Sequence, residues 1–298
     1  MANLKEVRTR IASVSSTQQI TSAMKMVSAA KFRRAQNAII GMRPYADQLQ
    51  EIIADIDTGD GVRTPYHAQR PLQNVLLVVV TSNKGLCGAF NSNVLKQAQQ
   101  RIDHYRATLP AGAQLHVMSI GKKSSELLAR QRDLPLSTHD DLLDSPSFDE
   151  IAALADDIMQ RFVAAQLDHV EIIYNQFKNS LTQILSTEQF LPLTRESSNT
   201  SNTSSTSTSA PSNDYIFEPS KDDILREMVP LTLRSTFYRI ILDSLASEHG
   251  ARMTAMQKAT DNATELLKDL TLSYNKARQA TITNEIIEIV SGSEALKG

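Results

Sequence analysis

Tryptophan is absent from the 298-residue chain, and aromatic residues make up only 5% of it. Aromatic side chains supply much of the buried area of compact cores, so one round core is not the first expectation. Cys87 is the single cysteine, which excludes an internal disulfide and a cysteine-based zinc site and fits a reducing compartment. The six histidines, His67, His104, His116, His139, His169 and His249, show no paired H-x-x-x-H spacing, so no metal or other cofactor is expected. No run approaches about 20 uninterrupted apolar residues, which excludes a membrane-spanning helix. The opening MANLKEVRTRIA lacks the apolar stretch of a signal peptide. A formal net charge of −2 excludes a generally basic nucleic-acid coat. What remains is 41% hydrophobic and 21% charged, ordinary proportions for a folded chain.

The charge is unevenly placed. Residues 1–43 carry eight basic side chains (Lys5, Arg8, Arg10, Lys25, Lys31, Arg33, Arg34, Arg43) against one acid, Glu6, a local charge of +7. Residues 221–298 carry ten basic and eleven acidic groups. The near-neutral total therefore hides a basic N-terminal arm.

That arm reads as helix. Between Met1 and Ile56 the only breakers are Gly41 and Pro44, in a background of good helix formers. Leu4, Val7, Ile11 and Val14 step by three, four and three, the seam of a coiled coil. A polar interval from Ser15 to Gln19 interrupts this stripe, which the periodicity resumes through Ile20, Met24 and Val27. Pro44 is expected to kink the helix without ending it. A second helical segment is predicted from about Lys221 to Val290, with Met256, Ala259, Ala263, Leu266 and Leu270 as its seam. Two such stripes in one chain are natural antiparallel partners for each other.

Between them the pattern turns α/β. Asn74–Thr81 is almost wholly apolar, as expected of a strand buried on both faces. Further strands are expected at Leu115–Ile120, His169–Tyr174 and Leu181–Glu188, and helices at about Ser92–Ala107, Ser124–Arg130 and Phe148–Gln166. This alternation implies a mainly parallel sheet with covering helices. From Ser197 to Asn213, 15 of 17 positions are Ser, Thr or Asn, a composition with nothing to bury and the mark of a flexible loop.

The turn after the first strand contains Gly85, Cys87 and Gly88. Glycines at a strand-to-helix turn invite a Rossmann-like nucleotide site, but neither G-x-G-x-x-G nor G-x-x-x-x-G-K-[ST] is present. Gly121-Lys122-Lys123-Ser124 has His116 where the first glycine of the latter would stand. The residues fit a tight turn that serves packing or a partner. Cys87 has no local His-Cys signature and reads as small apolar filler. The pairs Asp140-Asp141 and Asp156-Asp157 read as caps or solvated faces. The basic arm has two readings: a nucleic-acid surface or the complement of an acidic protein surface. A matching seam in the same chain favours a protein partner around an intramolecular coiled coil.

Three stretches carry a resemblance. Leu4–Gln36 (LKEVRTRIASVSSTQQITSAMKMVSAAKFRRAQ), Ser82–Asn93 (SNKGLCGAFNSN) and Glu248–Gly292 resemble, in order, the gamma subunit family of F-type ATP synthases, in its bacterial form. The resemblance implies a non-catalytic central-stalk rotor subunit of a proton-translocating complex. Its two terminal helices would form a long antiparallel coiled coil inside the alpha3-beta3 ring of three alpha and three beta subunits. A Rossmann-like α/β domain would sit beside the epsilon subunit and the c-ring. It further implies one copy per complex, no nucleic acid, and peripheral attachment to the cytoplasmic face of the inner membrane through partners only.

Carried over by position, Met24 and Lys25 match the family's A-M-x-M motif near a beta-subunit sliding contact. Arg278 and Gln279 match the pair that meets a beta-subunit loop, and Arg's fixed fork suits that role. Tyr215, Phe217 and Glu218 match the loop that meets the c-ring and epsilon. The expected division is 1–57 N-terminal coiled-coil helix, 72–194 α/β domain, 195–213 flexible loop, and 214–298 docking loop and C-terminal coiled-coil helix. The extra cysteine pair by which plastid members respond to redox is not present, since Cys87 stands alone.

Overall fold

Long stretches of Ala, Gln, Lys, Met and Leu at the chain's start and end fold as helices, and the β-branched runs between them as strands. In the computed structural model the described residues are 4–57, 64–131, 134–144, 146–179, 182–193 and 220–295. The elements are α1 (Leu4–Asp57), β1 (Asn74–Val80), α2 (Phe90–Thr108), β2 (Gln114–Ile120), α3 (Lys122–Leu128), β3 (Leu136–Thr138), α4 (Phe148–Val163), β4 (His169–Phe177), β5 (Gln183–Leu191) and α5 (Lys221–Ala295). Single 3-10 turns lie at Pro65–His67 and Asp141–Leu143. Pro44 lies within α1 and Pro230 within α5. Two compact units result: Met1–Ala29 with Arg252–Gly298, and Ala30–Ala251.

The larger unit is built on one five-stranded sheet of order β3-β2-β1-β4-β5. β1, β2, β3 and β4 are parallel to their neighbours, while β5 runs antiparallel to β4. The apolar run of β1 divides by alternation, as a strand's two-residue period requires. Leu76, Val78 and Val80 join α4 residues Ile151, Ile158 and Phe162 and the α5 stripe Leu225, Val229, Leu233 and Phe237 on one face. Val75, Leu77 and Val79 join Val94, Ala98 and Ile102 of α2 on the other. Within this unit α1 contributes Ile39, packed with Leu242 and Ala246 of α5, and Phe32, edge-on to Phe177 at 5.5 Å between ring centroids.

The smaller unit pairs the start of α1 with the later part of α5. Gln18 bonds Thr264 and Thr21 bonds Thr260, so the numbers rise on one helix as they fall on the other and the pair is antiparallel. Leu4, Val7, Ile11 and Val14 line the covered side of α1, and Met256, Thr260, Ala263, Leu267, Leu270, Tyr274 and Ala277 that of α5. Both sets step by threes and fours, the phase of a coiled coil.

Two details of the seam differ from the sequence expectation. Ile20 and Val27 do not resume the stripe: they stand 59% and 58% exposed. The seam stays in phase through Gln18, Thr21, Lys25 and Ser28 instead, with Thr21 and Ser28 buried. On α5, Leu266 is 40% exposed and the covered position is Leu267. Apolarity singles out Ile20, Val27 and Leu266, whereas the helix–helix contact follows phase.

Candidate partner interface

Each group of residues singled out by sequence sits on a different local scaffold. Met24 and Lys25 are half-buried at the edge of the seam on α1. The backbone carbonyl of Met24 accepts the Ser28 hydroxyl at 2.8 Å. Arg278 and Gln279 are exposed on α5, and the carbonyl of Gln279 accepts the Thr283 hydroxyl at 2.9 Å. The antiparallel register sets Met24 level with Gln257, so the two groups lie roughly 30 Å apart along the coil at 1.5 Å per residue. They form two separate places on one surface. Arg8, Arg10, Lys31, Arg33 and Arg34 are all exposed on α1.

A feature that sequence inspection passed over lies at the end of α5. Ile282, Ile286, Ile287, Ile289 and Val290 are 46% to 72% exposed. At 100° per residue these five side chains cover an arc of about 160°, with Asn284, Glu285, Glu288 and Ser291 opposite. Apolar side chains so arranged on a helix are made for cover, and among the described residues nothing covers them. Its signal in the sequence is the run I-x-x-x-I-I-x-I-V, an amphipathic pattern beyond Leu270.

The glycine turn belongs to the sheet-bearing unit. β1 ends at Val80, and the chain reverses into α2 through Gly85, Leu86, Cys87 and Gly88. Leu86 and Gly88 both have positive φ, 62° and 61°. Asn91 on the first turn of α2 holds the loop: its Oδ1 accepts the Ser82 backbone N–H at 3.0 Å, and its Nδ2 donates to Ser82 Oγ at 2.8 Å and to Cys87 Sγ at 3.2 Å. Cys87 is buried, and its thiol meets Ser82, Asn91 and the Lys84 carbonyl, none of them a base. The Ser82 hydroxyl and the Asn91 amide, the side chains nearest the Cys87 thiol, are thus occupied in tying the turn. Leu86, 62% exposed, is what the turn offers outward.

Gly121 follows β2 at φ 112°, and a Cβ there would stand 2.5 Å from the Thr81 carbonyl oxygen. The hydroxyls behind it, Thr81, Ser119 and Ser124, bond one another at 2.6–2.7 Å. The stretch that resembles the end of a phosphate loop is therefore a packed junction of β1, β2 and α3.

Glu171, Tyr105 and Tyr174 inside the sheet unit are paired. Glu171 on β4 accepts from Arg101 Nε at 2.9 Å, from the other arm of the same guanidinium, and from the Tyr105 hydroxyl at 3.2 Å. Burial first, then the Glu171 charge, pushes the Tyr105 hydroxyl up to about 12. Tyr174 is raised as well, by burial and by its hydrogen bond to Glu188. His169 is lowered chiefly by burial. These groups join α2 to β4 and β4 to β5. Among the described residues no three His, Cys, Asp or Glu side chains converge as metal ligands. Nor is any described helix long and apolar enough to cross a membrane. Tyr215, Phe217 and Glu218 lie outside the described residues.

Comparison with known proteins is consistent over the whole length. Residues 3–296 match the ATP synthase family. The chain is 53% identical over 300 residues to the ATP synthase gamma chain of Flavobacterium johnsoniae, with 100% of both chains covered. It is 46% identical over 301 residues to that of Christiangramia forsetii, again with 100% of both covered. In fold it is similar to a chain of the Euglena gracilis mitochondrial ATP synthase OSCP/F1/c-ring structure, with TM-score 0.66, 19% identity, and 98% of this chain and 94% of that one covered. A chain in the central stalk/c-ring structure of the Tetrahymena thermophila mitochondrial ATP synthase matches with TM-score 0.56 at 24% identity, covering 80% of this chain and 99% of that one.

Proposed function

The chain belongs to the ATP synthase gamma-chain family, and we propose that it is the central-stalk rotor subunit of a proton-translocating F-type ATP synthase. As such it is part of an enzyme complex. It carries c-ring rotation to the catalytic alpha3-beta3 ring and performs no bond chemistry of its own.

One observation carries most of this assignment: the end of α5 presents a bare apolar arc, Ile282 to Val290, next to exposed Arg278 and Gln279. An apolar helix end that keeps turning needs a sleeve that covers it without binding any one face tightly. The interior of a ring of six subunits has that form. Arg278 and Gln279 hydrogen-bond a beta-subunit loop beside it, and Met24 and Lys25 meet beta further along the coil. The exposed cations of α1 face acidic beta-subunit surfaces, a contact each of three beta subunits can make in turn.

Tyr215, Phe217 and Glu218 contact the c-ring and the epsilon subunit. The division at 1–57, 72–194, 195–213 and 214–298 separates shaft, α/β domain, linking segment and docking segment with returning shaft, residues 195–213 lying outside the described residues, and Gly85, Cys87 and Gly88 shape a structural turn. One copy serves each complex, held at the cytoplasmic face of the bacterial inner membrane through its partners.

Single-molecule observation tests the rotor role. With the alpha3-beta3 ring fixed to a surface and a bead on a cysteine introduced at an exposed position of the chain's α/β domain, ATP hydrolysis is expected to rotate the bead in three steps per turn. A bead that stays still while ATP is hydrolysed overturns the assignment. Arg278→Ala is expected to lower coupled ATP synthesis in the assembled enzyme while the isolated chain keeps its helical circular dichroism. Unchanged synthesis removes Arg278 from the interface.

A further inference from the structure

The seam of the paired helices changes chemistry part of the way along. From Leu4 to Val14 it is apolar, facing Leu267, Leu270, Tyr274 and Ala277. From Gln18 to Ser28 every residue in phase, Gln18, Thr21, Lys25 and Ser28, is polar. Thr21 and Ser28 are nevertheless 8% and 3% exposed.

Across this polar stretch two layers bond directly between the helices. Gln18 Nε2 donates to Thr264 Oγ1 at 2.7 Å, and the Thr21 and Thr260 hydroxyls meet at 2.8 Å. Carbonyls of the same helices back them up: Thr260 Oγ1 reaches Met256 O at 2.8 Å, Thr264 Oγ1 reaches Thr260 O at 2.8 Å, and Thr21 Oγ1 reaches Gln18 O at 3.0 Å. Thr21 and Thr260 together own two hydroxyl protons for three short contacts, so their shared bond can be made in either direction without leaving an oxygen bare.

An apolar heptad seam does not by itself define register. If α5 slid so that each α1 residue met the α5 residue seven positions earlier, Leu4 would face Leu270, Val7 would face Leu267 and Ile11 would face Ala263. These are apolar pairs, and only Val14, which would face Thr260, meets a hydroxyl residue, so the slip removes little burial from that half. In the polar half the same slip sets Gln18 against Met256 and Thr21 against Met253. Two bonded layers would become buried polar groups facing thioethers, a costly exchange. A polar residue at a single core position is enough to set the register of coiled coils.

From these contacts we infer that the Gln18–Thr264 and Thr21–Thr260 layers are a register lock. They hold the start of α1 against α5 in one axial alignment that the apolar layers from Leu4 to Val14 leave degenerate. The lock works by penalising the slipped states, and contributes little to stability in the correct one, because replacing both partners of a buried bond by apolar groups is close to neutral.

The test uses the full chain in a Cys87→Ala background, spin-labelled at Ala12→Cys and Glu288→Cys. Both positions are exposed. They lie well apart along the coil, so a seven-residue slip lengthens their separation by about 10 Å. The parent is expected to give one distance. Thr21→Val with Thr260→Val and Gln18→Met with Thr264→Ala, combined in one chain because either layer left in place still penalises the slip, are expected to add a second population displaced by about 10 Å. The conservative pair Thr21→Ser with Thr260→Ser is expected to keep the single distance. A single unchanged distance in the combined apolar variant overturns the lock, as does a second distance in the serine pair. Loss of helical circular dichroism in the combined apolar variant overturns it too, because the layers would then hold the fold and not its register.

Discussion

The sheet-bearing unit and the paired-helix unit bury their residues to different degrees. In the first, Val75 to Val80 are all 2% exposed or less, and Phe237 and Phe162 are fully covered. In the second, the best covered apolar residues are Met256 at 4%, Ala263 at 7% and Val7 at 9%, and hydroxyl residues share the seam with them. A side chain between a sheet and a helix layer has neighbours on every side. One between two helices is covered on a single side. Stability therefore concentrates in the sheet unit, while the helix pair keeps a surface rich in uncovered side chains, the property a partner-facing shaft needs.

The contrast is broken most directly by truncation. Phe237→Ala is expected to cost about 4 kcal/mol, since the cavity opens inside a three-layer core. Met256→Ala in the helix pair is expected to cost about 2 kcal/mol, the low end for such a change, because solvent and neighbouring side chains fill the gap. Urea denaturation of the isolated chain compares the two, and equal losses would show the helix pair to be as tightly packed as the sheet unit.

Gly121→Ala probes rigidity without removing anything. The added Cβ meets the Thr81 carbonyl at 2.5 Å and φ is 112°, so a loss of about 3 kcal/mol is expected. Gly292→Ala, where nothing lies within 4 Å of the new Cβ, is expected to be neutral or slightly stabilising. The same denaturation curves test both.

The smallest effect is silent at neutral pH. Tyr105 titrates near 12 in the folded chain and near 10 when unfolded. A hydroxyl raised in this way contributes stability that is complete below pH 10 and disappears as the pH rises from 10 through 12. Thermal melts across that window are expected to fall steeply, and Tyr105→Phe to flatten part of the slope. Tyr174, raised in the same direction, retains the remainder. An unchanged slope in Tyr105→Phe would place the alkaline sensitivity elsewhere.

Much of this fold was legible before any coordinates. The apolar run at Asn74 and the alternation after it located β1, β2 and β4 within a few residues, because strands buried on both faces have little choice of composition. β4 runs on to Phe177, past the expected Tyr174, because Asn175, Gln176 and Phe177 pair with Leu185, Ile184 and Gln183 of β5, and the Asn175 amide finds a partner in the Phe90 carbonyl at 3.2 Å. β3, the three residues Leu136–Thr138, carries no apolar run and exists only by pairing with β2. The partner-facing residues were legible to different extents. Arg278 and Gln279 stood out by motif, whereas the apolar arc from Ile282 to Val290 needed its exposure to be seen, since an amphipathic helix end looks the same whether its cover is internal or external.

Composition and spacing alone determined that two long helices would flank a mainly parallel sheet, and the order of motifs along the chain determined its family. Only the tertiary structure decided which residues meet between the helices. A leucine in phase announces itself by its apolarity, but a threonine or glutamine joins a seam only where its polar atoms find partners there. Thr21 and Gln18 have such partners at 2.8 and 2.7 Å. The interruption at Ser15 to Gln19 is for that reason no break in the coil, and its polar layers give the helix pair a single alignment.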